Sequence, residues 1–270
     1  MPELPEVETT LRGIAEHVTG HKVTGVVIRH PRLRWPIPPD LEKQISGEKL
    51  LAVTRRAKYL LFSFKTGTLI LHLGMSGKLR VLAANTPTQK HDHVDLCFGK
   101  ICLRFTDPRR FGALLWTDAD PATHPLIANI GPEPLTASFS ATYLFNKIRD
   151  RHTTIKVFIM DGKVVAGVGN IYATEALFQA GIRPQRAANK LSLIECEKLV
   201  SAIKAILKRA IKKGGTTLKD FTKSDGSPGY FSIELAAYGR DGEPCITCGT
   251  LLELSRLGQR ATVYCPHCQK

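Results

Sequence analysis

The sequence predicts an α+β chain with three parts: a β-rich N-terminal half led by one helix, a helical segment, and a short cysteine module. Three observations predict it. From about residue 22 to 117, apolar residues fall in short strand-like runs separated by turn residues. From about residue 140 to 211 they recur at helical spacing. In the tail, four of the seven cysteines form two Cys-x2-Cys pairs.

The leading helix rests on Val7, Thr10, Leu11, Ile14 and Val18, with Gly20 as its stop. Strands are expected at Lys22 to Ile28, Lys49 to Phe64, Thr68 to Leu73, Lys78 to Leu82, His93 to Phe98, Ile101 to Phe105 and Ala113 to Trp116. Short strands at this spacing fit a β-sandwich or a barrel. Residues 118 to 135 carry Pro121, Pro125, Gly131, Pro132 and Pro134, and read as a linker. Helices follow at Tyr143 to Arg149, Thr154 to Met160, Ile171 to Ala180 and Leu191 to Ile211; Leu199, Ile203, Ile206, Leu207 and Ala210 line one face of the last. Periodicity then lapses from 214 to 231, where Gly214-Gly215 and Ser224 to Gly229 predict a loop. Domain boundaries are expected at 1–130, 131–235 and 236–270.

Charge narrows the partner. The 270 residues include 38 Lys and Arg against 24 Asp and Glu, a net charge of +14. A globular chain with that excess, clustered at Arg55-Arg56-Ala57-Lys58, Arg109-Arg110 and Lys212-Lys213, is built to meet a polyanion such as a phosphate backbone. No apolar run is long enough to span a membrane. Two prolines and three glutamates among the first eight residues exclude a secretory or transit signal, so a cytoplasmic location is expected.

The candidate chemistry lies at the two ends. Proline behind the initiator favours removal of Met1, leaving Pro2 as a secondary amine, a nucleophile able to form an iminium at an aldehyde-level carbon. Glu3 beside it is a candidate proton donor. Cys245-x2-Cys248, sixteen residues, then Cys265-x2-Cys268 offer four thiolates to one tetrahedral zinc ion. With no open position, that zinc would be structural. Between the pairs, Leu251 to Leu254 and Gln259 to Tyr264 read as a hairpin with Arg260 near its tip, within reach of a phosphate. Gly167-Val168-Gly169-Asn170 enters a helix through a glycine turn, an arrangement suited to an anion. Met75, in Leu71 to Gly77, and Phe111, in Asp107 to Gly112, sit in turns beside arginines, where an apolar side chain can wedge into a base stack.

Taken in order, Pro2 to Thr9, Arg55 to Leu61, His72 to Gly77, Asp107 to Gly112, Gly167 to Tyr172 and the cysteine tail strongly resemble formamidopyrimidine-DNA glycosylase, the bacterial 8-oxoguanine glycosylase family with AP lyase activity. The resemblance implies an N-terminal β-sandwich, a helix–two-turn–helix domain and a zinc finger, acting on damaged double-stranded DNA; a monomer is expected. It implies Pro2 as the nucleophile at C1′, Glu3 as proton donor, Lys58 for β-elimination and phosphate contact, and Arg260 for δ-elimination. His91, Arg109 and Arg151 match DNA-contacting positions, and His72 and Asn170 match phosphate contacts. Met75, Arg109 and Phe111 match the residues that fill the void left by an extruded base. Residues 216–230 match the segment that closes over the flipped lesion. Leu252 departs from the family's usual Ile or Val, a packing-level change.

The residues suit this chemistry. A base inside a duplex must be flipped out before any side chain reaches it. An amine nucleophile leaves an iminium that acidifies C2′, so strand cleavage follows base removal; activated water would stop at the abasic site. The sister family of endonuclease VIII, which prefers oxidised pyrimidines, shares the Pro-Glu start. The Leu4 to Glu8 continuation and the Asp107 to Phe111 run favour the purine enzyme. A non-enzymatic zinc-finger DNA-binding protein and an N-terminal-proline tautomerase are the remaining alternatives.

Overall fold

The computed structural model describes residues 2–214 and 235–270. Met1 and the segment 216–230, read above as a closing loop, lie outside the described residues. The chain divides into two compact units, one holding the chain up to Asn129, the other Ile130–Lys213 and the tail from residue 235. Among the described residues no helix is long and apolar enough to cross a membrane.

The first unit opens with α1 (Leu4–Val18), which starts three residues before the apolar repeat. A capping box explains the early start: the Glu6 carboxylate accepts the Glu3 amide at 2.9 Å, and the Glu3 side chain accepts the Glu6 amide in return. Pro5 costs nothing in the first turn, where no N–H is needed. Val7, Ile14 and Val18 are fully buried and join one core with residues of two four-stranded antiparallel sheets. The first sheet orders β2 (Ala52–Arg56), β3 (Tyr59–Ser63), β4 (Thr68–His72) and β8 (Ala113–Thr117) as β2-β3-β4-β8. The second orders β1 (Gly25–Ile28), β5 (Lys78–Ala83), β6 (Asp92–Phe98) and β7 (Ile101–Thr106) as β1-β6-β7-β5; a five-residue helix, α2 (Leu41–Ile45), lies between β1 and β2.

Alternation sets the faces. Leu60, Phe62, Leu69 and Leu71 point into the shared core, opposite Leu96, Phe98, Leu103 and Phe105. Leu61 and Ile70 point the other way and are covered by Ile127. The sheets therefore form the sandwich, and the barrel alternative falls away because β1 and β5 end one sheet while β2 and β8 end the other. One expected strand, Lys49 to Phe64, is instead a hairpin: Arg56 pairs with Tyr59, leaving Ala57 and Lys58 as a two-residue loop. Ala57 takes φ +53, a conformation more usual for Gly or Asn, so no turn residue announced the break.

The second unit contains α3 (Ala141–Ile148), α4 (Ile155–Met160), α5 (Asn170–Ala180) and α6 (Leu193–Lys212). Helix α6 starts at a capping box between Ser192 and Glu195, and buries Leu199, Ile203, Ile206, Leu207 and Ala210 as the spacing predicts. Two turns between α4 and α5 make the helix–two-turn–helix. Gly131 lies against Val164 so closely that a Cβ would sit 2.7 Å from its backbone. In the tail, β9 (Glu253–Leu257) and β10 (Arg260–Tyr264) pair around Gly258 and Gln259. Both take positive φ, +52 and +60, the pattern of a type I′ turn. Leu252 is buried beside Cys245, Val263 and Cys265, so the unusual leucine fills the finger's small core.

Candidate active site and nucleic-acid interface

Pro2 precedes the N-cap of α1, partly exposed, and Glu3 is buried at 2 % exposure. The capping box fixes the backbone on which both sit. Farther along the helix, Glu8 accepts Arg55 Nε at 2.9 Å, and Arg55 donates to the Ala57 carbonyl at 2.8 Å. Arg55 thus ties α1 to the hairpin loop carrying Lys58. Burial acts to raise the Glu8 carboxyl, but hydrogen bonds and charge from Arg55 and Arg12 outweigh it and hold the group below the usual carboxylate range.

His72 pairs with Tyr59 across β3 and β4, their ring centroids 4.8 Å apart. Burial, helped by the nearby charges of Lys58 and Arg34, pushes its pKa down to about 4. The ring is then neutral at physiological pH. Its Nδ1 accepts the Gly74 amide at 3.0 Å, which puts the proton on Nε2 and makes that nitrogen a donor suited to a phosphate oxygen.

Met75 lies in the turn between β4 and β5, and Arg109 and Phe111 lie in the turn between β7 and β8. The turns press together at backbone level: a Cβ on Gly74 would come within 2.4 Å of the Phe111 carbonyl carbon. The Arg109 guanidinium stacks over the Phe111 ring at 4.8 Å, and Phe111 stays 44 % exposed. A large ring left in water beside a cation suits insertion into a base stack. His91, at φ +74, accepts the Asp107 amide at its carbonyl, so a third loop joins the turn of Arg109 and Phe111.

In the second unit, Asn170 is the first residue of α5 and donates Nδ2 to the Ala261 carbonyl at 3.2 Å. An amide nitrogen has two hydrogens, so one remains for a phosphate. Arg260, immediately before Ala261, is exposed at the start of β10, and Arg151 is exposed after α3. The four cysteine sulfurs lie within 4.8 Å of one another, with Cys245–Cys268 at 4.0 Å and Cys248–Cys265 at 3.5 Å. Four sulfurs about 2.3 Å from one zinc sit about 3.8 Å apart, so the donor set fits one tetrahedral ion. The zinc is structural, closing the finger that carries Arg260.

Family models match almost the whole chain in three pieces: the formamidopyrimidine-DNA glycosylase N-terminal domain over residues 1–114, its H2TH domain over 130–222, and the zinc finger found in FPG and IleRS over 242–270. The chain belongs to the formamidopyrimidine-DNA glycosylase family. It is 56 % identical over 271 residues to the enzyme of that name from Thioalkalivibrio sulfidiphilus and 55 % identical to that of Methylococcus capsulatus, covering 100 % of both chains in each case. Among solved structures, it resembles a Lactococcus lactis family member bound to Fapy-dG-containing DNA at 34 % identity and TM-score 0.91, with 100 % of both chains covered. It also resembles the Thermus thermophilus family member at 38 % identity and TM-score 0.89, covering 99 % of this chain and 98 % of that one.

Within each unit the structure groups residues that lie far apart in sequence. Pro2 and Glu3 sit at the head of the helix that Arg55 links to Lys58, while Met75, His91, Arg109 and Phe111 lie on adjoining turns. Lys156 escaped the sequence reading. It is fully buried, and its Nζ donates to Thr262 Oγ1 at 2.7 Å and to the Ala261 carbonyl at 3.0 Å. No sequence signal marks it, because a lysine on a short helix reads as solvated surface.

Proposed function

We propose that this chain is a bifunctional DNA glycosylase and AP lyase of base-excision repair, removing oxidised purines such as 8-oxoguanine and formamidopyrimidines from duplex DNA. The family match over the full length carries this reading, since it includes the Pro2-Glu3 start, both DNA-binding modules and the zinc ligands. With Met1 removed, the Pro2 amine attacks C1′ of an extruded nucleotide while Glu3 supplies the proton that lets the base leave. The bond formed is N–C1′ and the bond broken is the glycosidic C1′–N bond. Ring opening gives an iminium, whose electron demand acidifies C2′. Loss of that proton expels the 3′-phosphate, with Lys58 contacting the phosphate. A second elimination, served by Arg260, expels the 5′-phosphate and leaves a one-nucleotide gap.

His72, His91, Arg109, Arg151 and Asn170 serve as DNA contacts, and Met75, Arg109 and Phe111 occupy the space left by the extruded base. The +14 charge supports the required long-range attraction to a duplex. Boundaries near 130 and 235 separate the catalytic, helical and zinc-finger parts, and the enzyme works as a monomer in the cytoplasm, on the nucleoid. Borohydride trapping on an 8-oxoguanine:cytosine duplex tests the reading. A covalent adduct and faster cleavage of 8-oxoguanine than of thymine glycol are expected; the reverse preference assigns the chain to pyrimidine repair, and no adduct refutes the lyase.

A further inference from the structure

Met75 on one side, and Arg109 with Phe111 on the other, must enter a base stack together although they belong to separate turns. A wedge works only if its parts are set before the base leaves, because ordering them during insertion draws on binding energy. Among the described residues, a buried carboxylate reaches both turns. Asp107, fully buried, accepts the Ser76 hydroxyl at 2.6 Å through Oδ1 and the Gly112 amide at 2.7 Å through Oδ2. Those donors are the neighbours of Met75 and Phe111. The Ser76 oxygen also accepts the Arg109 amide at 3.3 Å, closing the loop between the turns.

The Asp107 backbone extends the junction. Its N–H donates to the His91 carbonyl at 3.1 Å, and its carbonyl accepts His93 Nε2 at 2.8 Å and the Arg110 amide at 3.1 Å. An aspartate that only shaped its own turn would need the Gly112 and Arg110 contacts alone. The bond to Ser76, 31 residues away, joins a different turn. Burying a carboxylate is unfavourable unless donors surround it, and here they come from the segments that carry the wedge.

We infer that Asp107 is a positioning residue that presets Met75, Arg109 and Phe111 as one rigid wedge, acting on nucleotide extrusion and not on the Pro2 chemistry. This rests on the glycosylase reading above. The test compares two activities of the intact protein: single-turnover excision of 8-oxoguanine from a duplex, and borohydride trapping on a single-stranded abasic oligonucleotide, where no stack has to be wedged open. For Asp107→Asn, excision should fall about tenfold or more, the loss a misplaced group produces, while trapping stays within about twofold. Ser76→Ala removes the Ser76 bonds to Asp107 and to the Arg109 amide, leaves the Asp107–Gly112 bond, and should give the same pattern at about threefold or more, whereas Ser76→Thr should keep wild-type rates. If Asp107→Asn does not fold, the Ser76 pair decides. Equal losses in both assays, or wild-type excision by Ser76→Ala, overturn the inference. Failure of the wild-type protein to excise or trap would instead overturn the glycosylase reading.

Discussion

Lys156→Met probes how the tip of the zinc finger is held. Methionine keeps the unbranched stem, so packing in this fully buried position changes little. What disappears is the ammonium, with its bonds to Thr262 Oγ1 at 2.7 Å and the Ala261 carbonyl at 3.0 Å. Hydrogen bonds from a charged donor contribute about 1.5–3 kcal/mol each, and relief from burying a cation offsets part of that loss. The acceptors are not stranded: Ala261 keeps the Asn170 bond, and the Thr262 hydroxyl still donates to the Arg260 carbonyl. A net loss of about 2 kcal/mol follows, a fall in Tm of roughly 4–8 °C for a unit of this size. Because Ala261 directly follows Arg260, the second elimination should weaken more than the first. Thermal unfolding and a gel resolving β- from β,δ-elimination products measure both effects. A Tm within about 1 °C of wild type, with an unaltered product ratio, would refute the reasoning.

Further outcomes are expected. Retention of Met1 should abolish the borohydride adduct on 8-oxoguanine duplex, because it holds the Pro2 nitrogen in a peptide bond; an intact adduct with Met1 retained excludes Pro2 as the nucleophile. Chelation of the zinc should melt the β9–β10 hairpin and weaken DNA binding, with recovery on adding zinc, since such sites contribute about 10–16 kcal/mol to folding; hairpin amides that stay protected from exchange under chelator would contradict this. His72 has a folded pKa of about 4 against an ordinary 6.5, so the unfolded chain binds its proton first as pH falls. Its contribution is complete above pH 6.5 and declines toward pH 4, by up to about 3 kcal/mol. Urea titrations at pH 7 and pH 4.5 should therefore show a smaller difference for His72→Gln than for wild type, and equal differences would show that His72 does not titrate in this window.

The legible parts of this protein depend on local chemistry. A Cys-x2-Cys pair states its ligand set by spacing alone, and α6 announces its buried face through five residues at helical intervals. The N-terminal Pro-Glu pair advertises an amine and a carboxylate side by side. The Ala57-Lys58 loop was hidden because alanine occupies a position where glycine or asparagine would have marked the turn. Lys156 and Asp107 were hidden for a different reason. A lysine or aspartate carries the same side chain on a surface as in an interior, and only its neighbours decide which role it has.

The sequence by itself therefore determined the family, most of the strands and helices, and the zinc ligands, because each is written in residues close along the chain or in a repeated period. Tertiary structure alone decided that Arg55 links the leading helix to the Lys58 loop, that burial lowers the His72 pKa, and that Asp107 bonds to both Ser76 and the Gly112 amide. Those facts depend on burial and on hydrogen bonds between segments dozens of residues apart, and folding creates both.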